Sequence, residues 1–275
     1  MKTSNYLKLS LLALLSIFSS AVMAADIARD IRIGETTPYS SDNNFFEIGG
    51  GVGLLAEPVK GEDDGFGIKI FIAGRYQWHG IFIESIDASS MDLIVGYNAW
   101  NTQRWSLDLI GTSLNNEVIS DDNDELKGLN DRDGDFLLGA RATGYYGNYI
   151  IQLQLLDGVS NVHDGVVTSI EAGRSWQVRN WNYHAILGWR HHQKQVVNYY
   201  LGVSQEEAQA TSLPEYQAGA GSLLTAEIGA TYPISEHWVF RGTASLLHLT
   251  SNLSKSPIIR DKNSGSLYTT LSYVF

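Results

Sequence analysis

The chain has 275 residues, 44% hydrophobic, with 27 Gly, 14 Tyr, 9 Phe, 7 Trp, no Cys and a formal net charge of -11. The missing cysteine excludes a disulfide framework, thiol catalysis and a thiolate metal centre. The acidic balance argues against nucleic acid as a partner, because that needs a basic face.

The first stretch, "MKTSNYLKLSLLALLSIFSSAVMA", carries Lys2 and Lys8, then an apolar run from Leu9 to Phe18, then small residues around Val22-Met23-Ala24. This is the pattern of a secretory signal peptide cleaved near Ala24. The apolar run is too short to cross a bilayer, which takes about 20 residues. Removing residues 1–24 leaves 17 basic and 30 acidic residues. The next segment, 25–44, reads as a periplasmic N-terminal piece, and 45–275 as one domain.

That domain repeats one pattern, segments of period two separated by turns. "FGIKIFIAGRYQW" puts Phe66, Ile68, Ile70, Ile72, Tyr76 and Trp78 on one face and Lys69, Arg75 and Gln77 on the other. "WSLDLIG" separates Trp105, Leu107 and Leu109 from Ser106 and Asp108. "YIIQLQLLD", "WNYHAILGWR" and "WVFRGTASLL" divide the same way, with Gln152, Gln154, His184, Arg190 and Arg241 on their polar faces. The expected strands are 45–56, 66–78, 80–87, 90–99, 103–112, 135–146, 148–157, 165–177, 181–192, 223–233, 237–249 and 266–275. Two of them fit poorly. "GIFIESI" shows no clear polar face, and strict alternation in 165–177 sends Arg174 outward with Ile170 and Trp176. A bulge at Gly173, or Arg174 snorkelling at a membrane interface, would resolve the second.

The charges decide which face is inside. Lys69, Arg75, Asp92, Asp108, Arg141, Glu171, Arg190, Glu227 and Arg241 lie on polar faces within strands, too many for a small dry core. They fit a wet or ion-paired lumen inside a lipid-facing wall. The expected fold is therefore all-β, an antiparallel transmembrane β-barrel of about twelve strands with periplasmic termini. Parity then sorts the connections. Those near 78–79, 100–102, 147–148, 178–180 and 234–236 are short, whereas 57–65, 113–134, 193–222 and 250–265 are long and polar. The last strand, "SLYTTLSYVF", would pair with the first and remove both sheet edges.

Several stretches, in order, resemble the MltA-interacting protein / OmpV family of Gram-negative outer-membrane proteins. They are "GLNDRDGDFLLGARATGYYG", "DGVSNVHDGVVTSIEAGRSW", "NYYLGVSQEEA", "LPEYQAGAG", "YPISEHWVFRGTASLLHL" and "SPIIRDKNSGSLYTTLSYVF". The resemblance covers most of the chain from about residue 128 onward. It implies an outer-membrane location, embedded in lipid and lipopolysaccharide. It also implies that Leu271, Tyr273 and Phe275 form the C-terminal signal read by the barrel-assembly machinery. One family member is named for holding a lytic transglycosylase, together with a peptidoglycan synthase, while others look porin-like. Two functions follow as expectations: a non-enzymatic scaffold for peptidoglycan-remodelling enzymes, or a narrow channel for small polar solutes lined by the lumen charges.

Chemistry finds little support in the motifs. Asp131, Arg132 and Asp133 lack the spacing of a calcium loop and read as a solvated loop with a local ion pair. His191 and His192 are adjacent, so they point to opposite faces of a strand and cannot share a metal. Ser245, His248 and Ser169 stand in no nucleophile-elbow motif. No cofactor, metal or catalytic set is expected.

Overall fold

The computed structural model describes residues 27–35, 44–62, 64–85, 93–114 and 123–275. The expected signal peptide and Asp92 lie outside them.

Twelve strands form one closed barrel in which every neighbouring pair is antiparallel. They are β1 Phe45–Ala56, β2 Gly65–Trp78, β3 Ile81–Ser85, β4 Ile94–Asn101, β5 Trp105–Leu114, β6 Asp135–Tyr146, β7 Tyr149–Gly158, β8 Val166–Val178, β9 Trp181–His192, β10 Gly221–Pro233, β11 Trp238–Leu249 and β12 Asn263–Val274. Closure comes from β1 pairing with β12, from Glu47 opposite Val274 to Ala56 opposite Gly265. Four helices among the described residues accompany the barrel: α1 Ile27–Ile33, α2 Lys194–Leu201, α3 Gln205–Ala210 and α4 Ser251–Ser254. None of the described helices is long and apolar enough to cross a membrane.

Alternation gives the wall its two faces. In β2, Ile68, Ile70 and Ile72 are exposed, Ile70 at 83%, while Phe71, Ala73 and Arg75 between them are buried. Such exposure suits lipid, not water. One end of the barrel carries the tight turns. At the first, His79 (φ 49°) and Gly80 (φ 85°) both take the left-handed conformation that a two-residue hairpin requires. Outward aromatics crowd this end. Trp181 lies 4.8 Å from Tyr232, Trp105 6.0 Å from Tyr146, and Trp238 5.3 Å from Tyr273. That is the girdle expected where a barrel meets an interface. The long connections are all at the opposite end.

Four local readings are corrected. β3 does have a polar face, because Phe82 and Glu84 point inward and Glu84 is buried. β8 runs without a bulge: Gly173 pairs with Ile150 and Ile186 in unbroken register. Arg174 faces out and lies 5.1 Å from the Tyr149 ring. The irregularity is in β4 instead, where the register shifts between Asn98 and Trp100. The 193–222 segment is not simply a polar loop, since it folds as α2 and α3 and returns to the barrel mouth. There Val196 and Tyr200 pack on Leu114, Leu137, Leu156 and Val167. Leu126, Leu129, Val203, Leu213 and Ile258 form a second apolar cluster over the long-loop end.

The fourth correction concerns 25–44. Residues 27–33 are not a free periplasmic segment. They form α1, which sits inside the barrel against β7, β8, β9 and β10. Ile27 and Ile31 bury against Tyr145, Ile150 and Ile186.

Candidate functional site: the occupied lumen

The lumen holds three polar assemblies. The first is on the β2–β6 wall. Arg75 Nε donates to Glu84 Oε2 at 2.7 Å, and Arg141 Nη1 donates to Glu84 Oε1 at 2.6 Å. Arg141 Nε then reaches Asp108 Oδ2 at 3.1 Å, and Asn98 Nδ2 donates to Asp108 Oδ1 at 2.6 Å. The side chains of Arg75, Glu84, Asp108 and Arg141 are 0% exposed. Charges so far from water persist only when paired and hydrogen-bonded on several sides. Strand pitch makes the chain possible: Arg75 and Glu84 are cross-strand partners, as are Asp108 and Arg141 and as are Asn98 and Asp108.

The second assembly ties α1 in place. Arg32 Nη2 donates to Glu227 Oε1 at 2.6 Å, and His184 Nε2 lies 3.0 Å from the same oxygen. Asn182 Nδ2 donates to the carbonyls of Ile31 (3.2 Å) and Arg32 (2.6 Å), answering groups left open at the end of a helix. Tyr145 donates its hydroxyl to Asp30, and the Ile27 backbone N–H donates to Gln152 Oε1 at 3.0 Å. The third assembly is Arg241, which pairs with Glu47 and donates to Ser272 Oγ at 3.0 Å.

Two cavities flank α1. One, of about 400 Å³, is bounded by Arg32, Gln154, Glu171, Arg190, Glu227 and Ser245. The other, of about 460 Å³, opens toward the short-turn end between Arg29, Ile33, Phe45, Glu47, Asn182 and Arg241. The expected lumen residues are thus distributed. Arg75, Asp108 and Arg141 are in the first network, Glu227 holds α1, and Arg241 is in the third pair. Glu171 and Arg190 border the first cavity. Lys69 is inward and half-buried, 5.7 Å from the Tyr268 ring. Sequence reasoning missed Glu84, Glu47 and the whole of α1. "IARDIRI" did carry a signal, Ile27 and Ile31 four residues apart on one helical face.

At the long-loop end, Arg132 is buried and pairs with Glu207 of α3 at 2.7 Å, a long-range contact rather than the local ion pair of a solvated loop. Glu207 also closes a capping box with Ser204 at the start of α3. Burial pushes the Glu207 carboxyl up, but the N–H groups of Ser204 and Asn130 and the Arg132 guanidinium outweigh it and hold the group below its ordinary value. His163 is 3.1 Å from Asp135, and burial pushes its ring below the usual imidazole range. Ser160 donates to Asp135 rather than to His163, so these three groups do not form a nucleophile–base pair. Among the described residues no group of three or more His, Cys, Asp or Glu could hold a metal ion.

A closed antiparallel barrel with an apolar exterior, an aromatic girdle and charges turned inward is a transmembrane barrel of the outer-membrane kind. The profile of the family "MltA-interacting protein MipA" matches residues 48–275, and the chain belongs to that family. The MltA-interacting protein of Escherichia coli is 21% identical over 90% of this chain and 98% of its own length. Outer membrane protein Omp26La of Vibrio anguillarum is 25% identical over 60% of this chain and 65% of its own, so that alignment spans under two thirds of the relative. Outer membrane protein OmpV of Vibrio cholerae is 24% identical over 60% and 65%. Among solved structures, OmpT of Vibrio cholerae aligns at a TM-score of 0.42 with 9% identity, over 86% of this chain and 99% of its own. The chain is an outer-membrane β-barrel of the MipA/OmpV family.

Proposed function

We propose that this protein is a non-catalytic outer-membrane scaffold that holds a peptidoglycan-remodelling enzyme against the membrane. The observation that supports it is the occupied lumen. A helix fixed by Arg32–Glu227 stands in the barrel, a dry ion network crosses one wall, and apolar loop packing covers one mouth. A barrel filled in this way is built for rigidity rather than flow. The name of the E. coli relative, MltA-interacting protein, points to a lytic transglycosylase as the enzyme held. In this reading the termini and short turns face the periplasm and the signal peptide is removed near Ala24. Leu271, Tyr273 and Phe275 present the assembly signal. The last two already share an aromatic contact, Phe275 lying 4.8 Å from Tyr273 and 5.4 Å from Phe46. With 27–33 drawn inside, the partner surface among the described residues is the rim of short turns.

The test is a pull-down from periplasmic extract on the purified barrel, with planar-bilayer conductance measured on the same preparation. A captured transglycosylase and a silent bilayer are expected. Steady conductance without capture would overturn the scaffold in favour of the second reading, a narrow channel for small polar solutes. That reading draws on the two cavities beside α1, which a displaced helix would join.

A further inference from the structure

The described strands contain six Lys and Arg residues, and five of them (Lys69, Arg75, Arg141, Arg190 and Arg241) point into the barrel. Arg174 alone faces outward. A guanidinium on a lipid-facing wall is costly unless it reaches the interface and finds something to neutralise it. Arg174 is placed for that. It pairs across the strands with Tyr149, the first residue of β7, one turn away from the short-turn rim. Tyr149 in turn pairs with Tyr146 across the β6–β7 hairpin. Arg104, exposed in the β4–β5 turn, lies 6.0 Å from the Tyr146 ring. Two adjacent tyrosines thus carry two arginines, one on each flank.

Neither arginine forms a salt bridge with a carboxylate among the described residues. A cation–π contact uses the charge of a guanidinium without consuming its N–H donors, which remain free for an oxyanion. The surroundings favour such a ligand. Arg179 is exposed in the next turn, while the acid of the short turns, Glu236, is on the distant β10–β11 connection. The opposite end is acidic, with Glu57, Glu62, Asp64, Asp131 and Asp133 exposed or half-exposed in its loops. An acidic chain has placed a local basic patch on lipid-facing aromatics.

We propose that Arg104 and Arg174 each bind the phosphate of an anionic phospholipid in the leaflet at the short-turn rim. The choice of phospholipid rather than lipid A rests on the periplasmic orientation proposed above; the phosphate site itself does not. The full barrel, purified in detergent, is incubated with phosphatidylglycerol, phosphatidylcholine or lipid A, and retained lipid is counted by native mass spectrometry. Wild type retains about tenfold more phosphatidylglycerol than phosphatidylcholine. R104Q/R174Q brings the ratio near one, and K60Q/K127Q, at the other end, leaves it unchanged. Folding is checked by heat-modifiable gel mobility. If the double variant fails that check, R104Q alone, in an exposed turn, carries the test with a partial loss. No preference in wild type, or a preference that survives both variants, overturns the site. Lipid A held in place of phosphatidylglycerol through the same arginines overturns the phospholipid assignment and the orientation together, and is distinguishable from failure of the site.

Discussion

Glu84 holds two guanidiniums at once, Arg75 at 2.6 Å and Arg141 at 2.6 Å, with no water-accessible surface on any of the three side chains. Removing its charge would take a shared carboxylate away from two buried cations, Arg75 and Arg141. Breaking a buried pair by deleting one partner costs about 3–5 kcal/mol, because the survivor keeps its desolvation penalty. Glu84→Gln should therefore lower the stability of the refolded barrel by that amount in urea titrations in lipid vesicles. Lys69→Gln removes a half-buried cation near Tyr268 and should cost about 0.5–1 kcal/mol. Equal losses at the two positions would mean that the network is hydrated. The contrast also explains why composition was a poor guide here. Glu84 sits in "GIFIESI" as a lone charge among apolar letters, and only its cross-strand partner Arg75 reveals its role. The outward side of the same strands was legible in detail, because lipid demands an unbroken apolar row and the sequence supplies one at Ile68, Ile70 and Ile72.

At the scale of elements, α1 is held by polar contacts at both ends and by two isoleucines between them. Ile31→Asp places a charge where the wild-type side chain is fully buried against Tyr145 and Ile150. Burying a charge without a partner is prohibitive, so the helix should leave the lumen while the strands stay paired. Proteolysis near residues 27–35 should become fast, with heat-modifiable mobility retained; a barrel that fails to close would show instead that α1 is part of the core. The loop cap responds to pH. Glu207 is held below its ordinary carboxylate pKa by the Ser204 and Asn130 N–H groups and Arg132. A carboxyl depressed in the folded state stabilises above its unfolded pKa, and that stability disappears as the pH falls through the folded value. Protection factors for amide exchange in 203–211, corrected for the intrinsic pH dependence, should therefore fall once the pH drops below the usual carboxylate range, and E207Q should show the low protection already at neutral pH. The capping box was readable in the sequence as Ser204-x-x-Glu207, yet the segment read as loop because it lies between two strands and has only six helical residues. α1 was missed for a related reason. Seven residues after an expected export signal read as a periplasmic segment until the lumen that receives them is known.

For the whole molecule, the decisive contact is the seam between β1 and β12, which turns a sheet with two edges into a barrel with none. β1 meets that seam with inward glycines. A Cβ on Gly51 would lie 2.2 Å from the Thr269 carbonyl oxygen and 2.7 Å from the Thr270 methyl, and on Gly53 it would lie 2.2 Å from the Leu267 carbonyl oxygen. The obstacle is backbone, which cannot rotate aside as a side chain does. Gly242, one strand further round the barrel on β11, is the opposite case, with nothing within 4 Å of its Cβ position. Gly51→Val must therefore push β12 away, and overpacking of this kind costs about 1–3 kcal/mol where neighbours can yield and more where they cannot. Gly242→Val adds a β-branched side chain on the lipid face of a strand, which favours the fold if anything. Refolding of both variants into lipid vesicles, followed by gel mobility without heating, should give a closed band for Gly242→Val at wild-type yield. Gly51→Val should give mostly the open, slower band. The open form should still protect β6 to β9 from protease, since β6–β9 pair only with their sequential neighbours and do not depend on the seam. Closure of Gly51→Val at wild-type yield would mean that the seam has room to spare, and that the glycines of β1 serve something other than the approach of the last strand to the first.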